Sequence, residues 1–145
     1  YKNVRPRIIA EKYMVDESKT ELKDYKLFCF NGIPKALFVA TERGIHQTKA
    51  DFFDTEFKHL PLKQSYPNNM QRQIIKPKGF GEMLFLAEKL TTNLVFCRVD
   101  FYDINGHVYF GELTLTNFSG LKPFEPKEWD YKFGDWINLG IKNNE

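Results

Sequence analysis

Cysteine, histidine and long apolar runs are all scarce in this chain, and each scarcity excludes something. The two cysteines, Cys29 and Cys97, lie in strand-like apolar stretches. That argues against a disulfide framework and fits small buried residues in a reducing compartment. The three histidines show no metal-ligand spacing to one another or to a cysteine, which argues against zinc. No stretch is long and apolar enough for a bilayer-spanning helix, and no signal peptide is visible. The expectation is a cytoplasmic chain without a transmembrane segment. Charge of one sign is nearly balanced by the other. A net +2 over 145 residues does not support a broad basic face, so no nucleic-acid partner is expected. Repeats and low-complexity tracts are absent. The first residue is Tyr1 rather than Met, so the chain is expected to be a fragment or a trimmed product.

What is present suits one globular domain over residues 1–145, long enough to bury a core. Aromatic residues reach 16%, with fourteen Phe, which points to an aromatic core before stacking surfaces.

Along the chain, Ile8 to Val15 reads as a strand that ends in the charged loop Asp16-Glu17-Ser18-Lys19. Asp24 to Phe30 alternates, with Asp24, Lys26, Phe28 and Phe30 on one face and Tyr25, Leu27 and Cys29 on the other. Asn31-Gly32 is a turn into a second strand, Ala36 to Thr41. Asp51 to Asp54 suggests a short strand. Leu60 to Lys78, with Pro61, Pro67 and Pro77, reads as a long loop, and Lys63, Arg72, Lys76 and Lys78 make it either a substrate loop or a solvated surface. Phe80 to Leu90 shows the helical period, with Met83, Leu84, Ala87 and Leu90 on one stripe. Pro126 to Leu139 reads as a last helix anchored by Trp129, Phe133, Trp136 and Ile137. Hairpins with helices covering one sheet face give an α+β class.

The densest signal is the hairpin from Arg98 to Thr114. Asp103, Asn105 and Gly106 sit between two runs rich in Val, Phe and Tyr, and each arm carries one carboxylate, Asp100 and Glu112. Turn length decides whether these share a face. A two-residue Asn105-Gly106 loop sets Asp100 opposite Gly111 and sends Glu112 to the other face. A three-residue loop, Ile104 to Gly106, places Arg98, Asp100, Phe110, Glu112 and Thr114 together. A shared cation therefore requires the odd loop. The residue types suit Mg²⁺ or Mn²⁺, hard ions that take oxygen ligands alongside substrate phosphates. A solvated acidic face is the plainer alternative, and Arg98 pairing with Glu112 across the strands is a structural one.

The order of these segments resembles the ATP-grasp fold, and more closely the TupA-like ATP-grasp group of polysaccharide-biosynthesis proteins. Asp24-Tyr-Lys-Leu-Phe-Cys-Phe-Asn-Gly32, Arg98-Val-Asp-Phe-Tyr102 and Gly111-Glu-Leu-Thr114 carry the resemblance, with Ile9-Ala-Glu-Lys-Tyr13 like that fold's hinge strand. It implies an ATP-grasp-like antiparallel sheet packed with helices, as a partial, C-terminal portion of such a domain. It implies Asp100 and Glu112 as cation ligands, with Thr114 where the family usually has Asn. Glu11, Lys12, Tyr13 and Met14 would contact adenine, Asp16 or Glu17 the ribose, and Lys26 and Arg43 the phosphate or transition-state charge. The cofactors implied are ATP and Mg²⁺ or Mn²⁺.

ATP-grasp enzymes hold nucleotide between two subdomains, the first supplying a Lys and a glycine-rich loop. Nothing before Ile8 resembles that part, so this chain alone is expected to bind ATP weakly and to show no turnover. The expected parent is an ATP-dependent ligase or transferase with a saccharide or peptide-polymer acceptor, in a capsule or teichuronopeptide-like pathway associated with glycosyltransferases. The other reading is a carbohydrate-binding module without ATP chemistry, in which exposed Tyr and Trp stack on sugar rings.

Overall fold

The computed structural model describes residues 2–43, 47–69 and 72–140. In chain order these form β1 (Asp24–Phe30), β2 (Ile33–Thr41), β3 (Lys49–Asp54), β4 (His59–Leu60), α1 (Phe80–Thr91), β5 (Phe96–Ile104), β6 (His107–Thr114), a 3-10 turn (Asn117–Gly120) and α2 (Glu128–Asp135). The strands make a six-stranded sheet in the order β4-β3-β2-β1-β5-β6, with every neighbouring pair antiparallel. The α+β class therefore stands. Both hairpin turns are Asn-Gly pairs with positive φ, 49° and 80° at Asn31-Gly32 and 57° and 92° at Asn105-Gly106. This is the two-residue turn whose twist matches antiparallel strands.

β1 lies mid-sheet, and its alternation divides the core in two. Tyr25, Leu27 and Cys29 face a layer built with α1, where Phe80, Met83 and Ala87 are buried against Val99 and Phe101. Phe28 and Phe30 face the opposite layer, an aromatic cluster with Phe38, Phe52, Phe124 and Phe133. Phe28 stands at its centre, 5.3 Å from the Phe133 ring and 5.8 Å from that of Phe38. The helices thus cover opposite faces, not one: α2 brings Phe133 to the side that α1 leaves open. The aromatic core is as expected.

Three further expectations need correction. The strand over Ile8 to Val15 does not form. A strand needs a neighbour for its backbone groups, and Ile8, Ile9 and Tyr13 are 101%, 79% and 86% exposed. In α1, Leu90 is exposed, and Phe80 and Thr91 complete the buried stripe instead. The last helix spans only Glu128–Asp135, and Ile137 beyond it is 41% exposed.

The second hairpin departs from expectation in an instructive way. Its loop is the two-residue one, since Ile104 pairs with His107 and Phe101 with Phe110. Yet Val99 pairs with Leu113 and Arg98 with Thr114. Between these pairs, Gly111 and Glu112 together oppose Asp100 in a β-bulge, which shifts the parity of β6 by one residue. Arg98, Asp100, Glu112 and Thr114 therefore share a face after all, while Phe110 goes with Phe101 to the other side. A Cβ at Gly111 would lie 3.0 Å from the Asp100 carbonyl oxygen, so glycine is what lets the bulged backbone come this close.

Candidate functional site

On the α2 side of the sheet the aromatic half gives way to a charged half. Asp24 and Lys26 extend β1 beyond Phe28, and cross-strand register sets Asp100 beside Lys26 and Arg98 beside Phe28. The result is a row of alternating charge. Arg43 Nη1 and Lys26 Nζ both donate to Asp24 Oδ2, at 2.5 and 2.7 Å. Lys26 Nζ also donates to Asp100 Oδ2. Arg98 grips Asp100 with two parallel bonds, Nε to Oδ1 at 2.7 Å and Nη2 to Oδ2 at 2.8 Å, and reaches Glu112 Oε1 at 2.9 Å. Three cations and three carboxylates thus neutralise one another. Pairing of this kind is what permits charge on a mid-sheet strand. The Arg98 guanidinium also lies 5.9 Å from the Phe38 ring centre, joining the charged half to the aromatic one.

All of this row but Arg98 lines a cavity of about 500 Å³, together with Glu11, Lys12 and Met14 and with Tyr102, Tyr109 and Phe110. An adjoining cavity of about 650 Å³ shares Glu11, Lys12, Met14, Arg43 and Tyr102 and adds Tyr13. The structure therefore brings together Glu11, Lys12, Met14, Lys26, Arg43, Asp100 and Glu112, with Tyr13 next door. Three expected site residues stand outside both linings, among them Glu17, which pairs with Lys23 Nζ at 2.8 Å. Thr114 Oγ1 donates to Glu112 Oε1 at 2.9 Å and so orients that carboxylate. Asp16 is committed to Lys23 Nζ, at 2.5 Å, and to the turn amide of Ser18, at 2.8 Å. Burial alone would raise the Asp16 carboxyl, but the hydrogen bonds from Lys23 and Ser18 outweigh it and hold the group below its usual range.

Asp24 and Tyr102 join this set from outside the expected one. Burial is the main reason the Asp24 carboxyl titrates above its ordinary value, with Lys26 and Arg43 opposing the shift and Asp100 adding to it. Asp24 Oδ1 is buried and has no hydrogen-bond partner among the described residues. Tyr102 is likewise raised, by burial first and then by the Asp24 charge, with Arg43 pulling the other way. The signal for Asp24 was present in the alternation that put it on the face of Lys26. Asn117 also joins, receiving Arg98 Nη1 at 2.7 Å and donating to Gln64 at 2.8 Å. The cations of the long loop are mostly engaged elsewhere, Lys63 with Glu125 at 2.9 Å, Arg72 with Glu21, and Lys76 over the Phe80 ring.

A divalent ion fits the donor chemistry. Asp100 and Glu112 offer hard oxygen atoms, and the single Nη2 atom of Arg98 reaches both carboxylates, at 2.8 and 2.9 Å. That place is held by Arg98 here, so an ion would contact both carboxylates by taking over from this nitrogen. Among the described residues, no group of three or more His, Cys, Asp or Glu forms a metal cage of its own. Mg²⁺ commonly takes only one or two carboxylates, together with substrate phosphates.

A family model described as TupA-like ATPgrasp matches residues 1–138. No curated protein matches the chain, and no solved structure does.

Proposed function

The chain belongs to the TupA-like ATP-grasp family, and we propose that its charged cavity is the phosphate- and metal-bearing side of a nucleotide site. The activity this site would serve is that of an ATP- and Mg²⁺-dependent ligase or transferase in cell-surface polysaccharide biosynthesis, with a saccharide or peptide-polymer acceptor. The observation that carries this reading is the alternating row Arg43, Asp24, Lys26, Asp100, Arg98 and Glu112, all of which but Arg98 line one cavity with Glu11, Lys12 and Met14. Phosphoryl transfer asks a protein mainly for positioning and charge neutralisation. Lys26 and Arg43 meet the phosphate charge, Glu11 to Met14 line the adenine side, and Arg98 fixes the orientation of both carboxylates. Asp100 and Glu112 would hold Mg²⁺ or Mn²⁺, which when bound supplies neutralisation of phosphate charge. The free cysteines, Cys29 and Cys97, suit a cytoplasmic setting where ATP is available. Among the described residues, no helix is long and apolar enough to cross a membrane.

Titration calorimetry of Mg-ATP into the 145-residue chain tests the reading. Weak, metal-dependent binding that Asp100→Asn abolishes is expected. An Asp100→Asn chain that keeps nucleotide binding and loses saccharide binding would point instead to a carbohydrate-binding module.

A further inference from the structure

We propose that Asp24 is a positioning residue, whose carboxylate sets Lys26 and Arg43 as one pair for the incoming anion. The inference rests on the nucleotide reading above. Lys26 and Arg43 come from different places, one mid-strand in β1 and the other just past the end of β2. They meet because a single oxygen, Asp24 Oδ2, receives both, at 2.7 and 2.5 Å. The Arg43 side chain is 50% exposed, so this bond, beside a hydrogen bond to the Tyr102 hydroxyl, ties a long, flexible, half-solvated group to the cavity wall. Lys26 is held on its other side by Asp100. Without Asp24 its ammonium would sit wholly against Asp100, on the side assigned to the metal.

Asp24 also bears a cost that packing alone does not explain. Its side chain is 2% exposed, and among the described residues Oδ1 has no donor. A buried acceptor left unpaired weakens a fold. An apolar or amide side chain would fill the same place with less desolvation penalty, yet neither would offer two cations one charged oxygen. The residue is better accounted for by what it does to Lys26 and Arg43 than by what it does for the sheet.

The competing explanation, that Asp24 is only a counter-charge, makes the opposite prediction. Asp24→Asn keeps shape and adds one unit of positive charge to the site. On charge alone, a polyphosphate should then bind more tightly. If Asp24 positions the cations, it should bind less tightly, by about tenfold, the scale of one charged hydrogen bond. Mg-ATP is titrated into the wild-type chain, Asp24→Asn, Arg43→Ala and the double variant. The expected results are weaker binding by Asp24→Asn with thermal stability retained, and a much smaller effect of Asp24→Asn when Arg43 is already Ala. Equal or tighter binding by Asp24→Asn, or the same loss in both backgrounds, overturns the proposal.

A second measurement needs no nucleotide. The ¹⁵N-detected ammonium signal of Lys26 should be observable in the wild type and lost to exchange in Asp24→Asn. An unchanged signal overturns the proposal. If the wild type binds no Mg-ATP, the nucleotide reading fails, and the ammonium signal decides the role of Asp24 alone.

Discussion

Arg98→Met tests whether the charged row is a buried network or a set of surface contacts. Arg98 is 9% exposed at its side chain, and its guanidinium holds Asp100, Glu112 and Asn117. Methionine keeps much of the aliphatic volume, so the loss is mainly electrostatic. Asp100, 1% exposed, would be left with Lys26. Removing one partner of a buried ion pair costs about 3–5 kcal/mol, and the surviving Lys26 contact puts this case near the lower end, at about 3 kcal/mol. For a domain of this size that is a fall of about 10 °C in Tm. Lys63→Met is the control. It breaks the Lys63–Glu125 pair, with side chains 51% and 65% exposed, and should cost about 0–1 kcal/mol. Urea unfolding at neutral pH reads both variants, with unchanged m-values showing that the shift in midpoint is a shift in stability. Adding Asp100→Asn to Arg98→Met should recover part of the loss, because the stranded charge is gone. An Arg98→Met variant no worse than the control would refute the buried-network account.

Two carboxylates should give opposite pH slopes. Asp24 titrates above its ordinary 3.8 when folded, so the folded chain takes up its proton first. Its contribution to stability is greatest below pH 3.8 and falls as pH rises through the raised value. Asp16 is held below 3.8, so its contribution is present above that value and is lost as pH falls through the lowered one. Urea midpoints should fall more steeply on the acid side for Asp24→Asn and less steeply for Asp16→Asn, and variants that follow the wild-type curve would contradict this. Burial pushes the Cys29 thiol up to about 12, and Cys97 is also raised and fully covered; a thiol reagent should label neither until the chain unfolds, and prompt labelling of the native protein would show the sheet interior to be accessible. Gly111→Val puts side-chain atoms against the Asp100 carbonyl, 3.0 Å from the Cβ position, and should cost about 1–3 kcal/mol as overpacking does, with nucleotide binding weakened because Glu112 moves; a stable variant with intact binding would remove the bulge from the site.

Local rules made much of the fold legible. Asn-Gly between runs of β-formers specified both hairpins, and alternation along Asp24 to Phe30 divided the two core layers correctly. What pattern could not supply was pairing at a distance. Ile8 to Val15 has the composition of a strand, but composition does not furnish a neighbouring backbone. The helix around Phe133 has anchors of the right kind, but which sheet face they reach depends on where the chain after β6 turns. Leu90 fitted a helical stripe, yet the cover over that end of α1 comes from elsewhere.

The route to Glu112 shows how a local rule and a tertiary contact share the work. The Asn105-Gly106 turn was expected to decide whether Asp100 and Glu112 share a face, and by itself it would have separated them. The bulge at Gly111 and Glu112 reverses the parity and leaves Arg98 in contact with both carboxylates. Its trace in the sequence is a glycine inside a strand, a signal shared with many strands that are merely weak. Only the backbone contact with Asp100 distinguishes the two. The same dependence explains Asp24. Spacing placed it beside Lys26, but its importance comes from burial on a central strand and from Arg43 arriving from the end of β2. A carboxylate two residues from a lysine is a surface pair on an edge strand and, in mid-sheet, a fixed point on which two cations can be set.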